Sequence, residues 1–272
     1  MDGTDGPPVP NGTDRARLPD GTDRPSLRVL LDDVHVAYRV LPHGRMGPRR
    51  PVQVKALQGV SLDIHEGECL GIIGRNGAGK STLLRAIAGL VPVDHGAVYS
   101  TSTPVLLGVG RSLVPQMSGR ENIELGCLAL GMSRSEIRER TDEIIEFSGI
   151  AESIDLPMST YSSGMAARLK FAIASSVVHE ILLLDEALAT GDMDFKERSI
   201  QRMGELRDHA DAVVIVSHSL SAIRASCTRA VWLDKGSVRA DGSVEDVIEQ
   251  YVDDTRRRRQ ARRDRRRAGP SS

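Results

Sequence analysis

Residues Gly74–Thr82 read GRNGAGKST, which fits the spacing G-x-x-x-x-G-K-[ST] at every fixed position. The run CLGIIG leads into this turn and STLLRAIAGL leaves it, so a buried strand should feed the glycines and a helix should follow them. That context gives the spacing its chemistry. Gly74, Gly77 and Gly79 let the backbone curl until successive N–H groups, those of Asn76 and Ala78 among them, point at phosphate oxygens beside the positive end of the helix. Lys80 is placed to reach the β and γ phosphates of a nucleoside triphosphate, and Ser81 to ligate Mg²⁺, with Thr82 next to it in the cradle.

A second stretch, ILLLDE, ends an apolar run in two acids. Asp185 is positioned to hold Mg²⁺, directly or through water, and Glu186 to polarise an attacking water. His218 closes the next run, VIVSHS. A lone histidine at a strand end is more often structural, but in this kind of fold the strand ends border the nucleotide crevice, which favours a role on the phosphates. The segment YSSGM then raises a question, because Ser162, Ser163 and Gly164 before a helix form a second anion-holding turn. A phosphate loop covers one side of a triphosphate, and efficient hydrolysis needs positive groups on the far side as well. The economical solution is two copies of the chain, head to tail, each closing the other's nucleotide with its serine turn.

These residues need a scaffold, and the pattern along the chain supplies one. LRVLLDDVHVAYRV and VSLDIHEG have the β-branched content and alternation of strands, with Val60, Leu62 and Ile64 on one face. Between them LPHGRMGPRRPVQVK is an insertion of loop composition. EILLLDE and DAVVIVSH are continuous apolar runs, as expected of strands covered on both faces. Residues 115–178 read as helical, with a capping box at Ser133 and Glu136, inward Ile137, Ile144 and Ile145, and Gly149 as terminator. RAVWLDKGSVRADG predicts a hairpin around Asp234-Lys235-Gly236, and SVEDVIEQYV a closing helix. Strands alternating with helices around a phosphate loop give an α/β fold with a largely parallel sheet.

Composition sets bounds on the rest. The chain has 272 residues and a net charge of −1, which hides a basic end and an acidic body. Its three cysteines, Cys69, Cys127 and Cys227, are too few and too odd in number for a disulfide framework, and no Cys/His spacing suggests zinc. No apolar run reaches the ~18–20 residues that cross a bilayer, and the N-terminus has no basic-then-apolar leader. A soluble protein is expected, with any membrane spanning left to another chain. Residues 1–26 are rich in Gly, Pro, Asp and Thr, contain the repeat PNGTDR/PDGTDR, and read as disordered.

In order and spacing, the phosphate loop, YSSGM about 80 residues later, LLLDE about 20 after that and VSH about 30 further resemble ABC-transporter ATPase subunits over roughly residues 27–250. The resemblance implies a P-loop NTPase fold with a mostly parallel core sheet, an N-terminal antiparallel β-subdomain and an inserted helical subdomain at about 115–178. It implies ATP and Mg²⁺, a homodimer, and a separately encoded integral-membrane permease that holds the chain at the cytoplasmic face of the membrane. The permease contact would lie around residues 105–130. It makes Tyr161–Met165 the signature turn, Glu186 the catalytic carboxylate, His218 the γ-phosphate sensor and Asp192 part of the loop joining the two active sites. Tyr38 matches the aromatic that stacks on adenine, a core tyrosine being the other reading. Most members carry a glutamine where this chain has Val109, and Gln116 lies on the wrong side of Pro115 to replace it.

Pro115–Asn122 (PQMSGREN), LGMSRSEI, YSSGMAARLKFAIA and DEALATGD together are similar to the subgroup that exports cell-surface polysaccharides, including O-antigen, teichoic-acid and galactan exporters. A lipid-linked glycan is then the implied cargo. Some members append a carbohydrate-binding domain, and no such module is expected after Tyr251. The domain reading is thus 1–26 disordered, 27–254 ATPase, and 255–272 a basic tail with nine arginines in 256–267. Such a run reads first as a solvated tail. It also suits an anionic leaflet, at ~1 kcal/mol per basic residue. Nucleic acid is the weaker partner, since no aromatics interleave the arginines for base stacking. Two rivals share the site: an exporter ATPase for a drug or lipid, and a soluble ATPase of this type acting on nucleic acid or ribosomes. Salt-sensitive nucleic-acid binding through residues 256–267 would mark the latter.

Overall fold

The computed structural model describes residues 26–40, 51–107, 113–185 and 193–267. Two long strands, β1 (Leu27–Val40) and β2 (Val52–His65), pair antiparallel, and β4 (His95–Ser100) joins the other edge of β1 in a three-stranded sheet. Their alternation works as the sequence predicts: Val60, Leu62 and Ile64 are buried against Val29 and Leu31.

The second sheet has the order β5-β6-β7-β3-β8-β9, formed by β3 (Glu68–Ile73), β5 (Val105–Leu106), β6 (Ile181–Asp185), β7 (Ala212–Val216), β8 (Arg229–Asp234) and β9 (Ser237–Ser243). Pairing is parallel throughout except between β8 and β9. The continuous apolar runs are explained by burial on both faces. In β6, Ile181 and Leu183 enter the core shared with the antiparallel sheet and with helix α1 (Lys80–Ile87), while Leu182 and Leu184 face a second core that includes Leu206. Each such side chain, cut to alanine, would cost about 2–5 kcal/mol. The β8–β9 connection is the predicted hairpin, with Lys235 at φ 52° and Gly236 at φ 84°, the left-handed pair that a tight type I′ turn requires.

A helical lobe has its own core. Helices α2 (Gly119–Ala129), α3 (Arg134–Ser148) and α4 (Ser163–Ala174) enclose Ile123, Cys127, Ile137, Ile144, Ile145, Leu169 and Ile173. The Ser133–Glu136 capping box is present, and Gly149 ends α3 in the left-handed conformation. A second capping box, Ser118 with Glu121, starts α2, and was not anticipated from the sequence. Each cap is worth about 1 kcal/mol.

The remaining helices are α5 (Met193–His209), α6 (Leu220–Ser226) and α7 (Val244–Arg267). Here the structure departs from the sequence reading. The closing helix does not stop near Tyr251; α7 continues through the arginines, of which Arg256, Arg257 and Arg259 are exposed and Arg258 is half-buried. Asp254 pairs with Arg258 one turn later at 2.6 Å, and Arg256 with Asp253 at 3.7 Å. Arginine favours helix, and cations at a helix C-terminus complement its dipole. The N-terminal repeat, the 41–50 part of the insertion and Val109 lie outside the described residues. The three cysteines are free thiols, with Cys69 and Cys227 3.6 Å apart. Among the described residues no helix is long and apolar enough to cross a membrane.

Candidate nucleotide site

The register of the parallel sheet assembles the site. Ile72 pairs with Val216, and Val216 with Asp185, so β3, β7 and β6 end level with one another. The glycine turn, His218 and Asp185 therefore emerge along one edge, at the carboxyl ends of the strands, where open α/β sheets bind ligands. His218 is exposed and lines a cleft with Gly74, Arg75 and Asn76.

The loop needs its glycines for two reasons. Gly74 and Gly79 have φ of 150° and 108°, and a Cβ added to either would lie 2.3 Å from Leu233 O or 2.5 Å from Ala56 O. The loop is also tied down from outside, since the Gly236 N–H donates to Ala78 O at 2.8 Å. Lys80 is buried, and its ammonium curls back to donate to the carbonyls of Gly74 at 2.8 Å and Arg75 at 3.2 Å. It thus stands at the loop, as the motif requires.

Ser81 Oγ donates to Asp185 Oδ2 at 3.1 Å, although the two residues are 104 positions apart. Adjacent ligands on an octahedral Mg²⁺ at 2.0–2.1 Å are separated by about 3 Å, so this hydroxyl–carboxylate pair has the spacing of one octahedron edge. The donor set, two hard oxygens, also suits that ion. Tyr38 is half-buried, packs on the main core and brings its hydroxyl to 3.4 Å from Thr82 Oγ1. It lies beside the loop while serving as a packing residue too. Glu186 and Asp192 lie outside the described residues.

The serine turn belongs to the other lobe. Ser162 caps α4 by accepting from Met165 N at 3.2 Å, and Ser162 and Ser163 are exposed. Tyr161 anchors the turn: its hydroxyl donates to Ser153 O at 2.7 Å and sits where a Cβ on Gly119 would be only 2.4 Å away. Burial raises the Tyr161 pKa, which keeps it a donor. These bonds to Met165 and Ser153 tie the turn to its own lobe. Sequence reasoning missed that α7 reaches the site. Tyr251, Thr255, Arg258 and Arg259 line the cleft with Gly74–Asn76 and His218, and the signal available was the arginine run itself.

The fold and the loop are those of an α/β protein of the phosphate-loop type. Comparison with known proteins agrees and narrows it: the chain belongs to the ABC transporter family of ATP-binding subunits. The family profile, "ABC transporter", matches residues 57–189. The O-antigen export system ATP-binding protein RfbB of Klebsiella pneumoniae is 40% identical over 197 residues, 72% of this chain and 80% of its own. Its counterpart in Myxococcus xanthus is 42% identical over 209 residues, covering 76% of this chain. The teichoic acids export ATP-binding protein TagH of Bacillus cereus is 41% identical over 196 residues, covering 72% of this chain. The chain spans 48% of the length of the Myxococcus protein and 36% of that of the Bacillus one. Among solved structures, the ATP-binding cassette MJ0796, as a dimer in a post-hydrolysis state bound to ADP and Pi, superimposes with a TM-score of 0.61 at 25% identity. That match covers 79% of this chain and 98% of the other.

Proposed function

We propose that this chain is the ATP-hydrolysing subunit of an exporter that moves a lipid-linked cell-surface polysaccharide, of O-antigen, teichoic-acid or galactan type, across the cytoplasmic membrane. It would act as a homodimer at the inner face, coupled to a separately encoded integral-membrane permease. The observation that carries this reading is the 40% identity to an O-antigen export ATP-binding protein across 80% of that relative's length.

The residues have roles to match. The loop N–H groups and Lys80 bind the phosphates of ATP, and Ser81 and Asp185 hold Mg²⁺. The metal, when bound, offsets charge on the β and γ phosphates. Glu186 orients the attacking water, His218 contacts the γ-phosphate, and Asp192 lies in the loop between the two sites. Tyr38 stacks on adenine. The partner protomer's Ser162–Gly164 turn closes the far side of the triphosphate, so ATP joins the two copies and its hydrolysis releases them. The ATPase unit starts at residue 27 and extends past the expected end at 254 through helix α7, with its helical subdomain at about 115–178. A largely apolar cleft of 310 Å³ between the two lobes, lined by Leu90, Val105, Leu106, Leu113, Leu130 and Ile173, supports a permease contact in the 105–130 region.

The reading is tested by depleting the protein in its host and extracting lipid-linked glycans from the inner side of the membrane. Accumulation of full-length polymer there, with loss from the cell surface, is the expected result. Unchanged surface glycan would remove the polysaccharide cargo and leave the ATPase reading in place.

A further inference from the structure

The cleft beside Gly74–Asn76 has a volume of 380 Å³, and half of its described lining comes from a single helix, α7. That helix is firmly seated. Val247 and Ile248 are buried with Ile223 and Trp232, and Tyr251 packs edge-on against Trp232 with ring centroids 5.7 Å apart. Farther along, Arg258 bonds Asp234 at 2.7 Å and Asp254 at 2.6 Å. Asp234 immediately precedes the Lys235–Gly236 turn, and the N–H of Gly236 holds the phosphate loop through Ala78 O. One turn therefore fixes both the loop and the arginine helix, and the distance between them is set by the fold.

The charge on the cleft wall is one-sided. Among the described residues lining it are Arg75, Arg258, Arg259 and His218, and no carboxylate. Two carboxylates already compensate Arg258. Arg259, exposed and with no ion pair among the described residues, supplies a cation that faces the same space as the loop's first residues. We propose that α7 forms a second wall of the phosphate site and that Arg259 is a substrate-binding residue contacting the terminal phosphate of the triphosphate held on Gly74–Ser81. The inference rests on the nucleotide reading above and adds a group, supplied in cis, that the phosphate-loop pattern does not contain. A guanidinium suits the role, since its planar fork matches phosphate oxygens and its charge survives at any working pH. An arginine that meets only the terminal phosphate should distinguish a nucleoside triphosphate from its diphosphate.

The test uses the full chain with Mg²⁺ and titrates adenylyl imidodiphosphate and ADP by calorimetry. Arg259→Ala should weaken the triphosphate analogue about tenfold while ADP stays within about twofold. Arg257→Ala removes the same charge from an exposed position that does not line the cleft, and should move neither ligand. Arg259→Lys should recover part of the loss. Equal losses in the two alanine variants would mean a general field of the arginine run, and would overturn the proposal. So would an unchanged triphosphate affinity, or equal weakening of both ligands by Arg259→Ala. Failure of the unaltered protein to bind either nucleotide would instead bring down the nucleotide reading, and the wall with it.

Discussion

Asn122 is fully buried and every polar atom of its side chain is engaged. Its Oδ1 accepts from Val114 N at 2.7 Å, and its Nδ2 donates to the carbonyls of Val114, Met117 and Ser118 at 2.8–3.3 Å. One amide thus satisfies the Val114 N–H, adds a second donor to three carbonyls, and fixes residues 114–118 on the start of α2. Truncation leaves the N–H of Val114 without a partner in a water-poor site, while the three carbonyls keep their backbone donors from Met117, Met158 and Asn122. Asn122→Ala should cost about 2 kcal/mol and lower the thermal midpoint by about 4–8 °C. Asn122→Asp should do no better, because a carboxylate cannot donate and its charge would be buried. Thermal melts of the three proteins check this. The same scale explains what could be read from residues and what could not. Gly74, Lys80 and Ser81 announce themselves because phosphate chemistry demands fixed types at fixed spacing. Asn122 was visible only as one letter of a resemblance, since a buried amide serving a local turn has no spacing rule.

At the scale of elements, legibility followed the strength of local physics. Double-faced strands, the Ser133–Glu136 box and the Asp234–Gly236 hairpin each depend on neighbours in sequence, and all are present. The continuation of α7 was hidden because its decisive partner, Asp234, is distant in sequence and the composition alone reads as a solvated tail. The link from α4 to β6 carries a contact of short sequence range that no spacing rule announces. His179 is buried there, and its Nε2–H donates to Ala174 O at 3.0 Å in the last turn of the helix. Burial holds its pKa below the ordinary histidine value of 6.5. The folded state therefore binds fewer protons than the unfolded chain. Its contribution is complete above pH 6.5 and is lost as pH falls through the folded value. His179→Gln keeps a donor for Ala174 without titrating. Denaturant midpoints measured from pH 7.5 to 5 should fall more steeply for the parent than for this variant. Parallel curves would place the acid sensitivity elsewhere.

At the scale of the whole molecule, the two anion-binding turns are built on different cores. The phosphate loop stands on the parallel sheet and the serine turn on the helical lobe, each tied to its own surroundings. If both turns must meet one triphosphate, and two copies exchange them head to tail, defects on opposite half-sites should complement. Consider Lys80→Ala in one preparation and Ser163→Glu in another. Each alone spoils both composite sites of its homodimer, the first by removing the phosphate cation and the second by setting a carboxylate against phosphate. In a mixed dimer the intact loop of the Ser163→Glu chain faces the intact serine turn of the Lys80→Ala chain, so one site is restored. Random exchange makes half the dimers mixed, and ATP hydrolysis should return to about a quarter of the unaltered rate if sites act independently. Activity that stays at the level of the separate variants would mean that the serine turn serves its own chain or none.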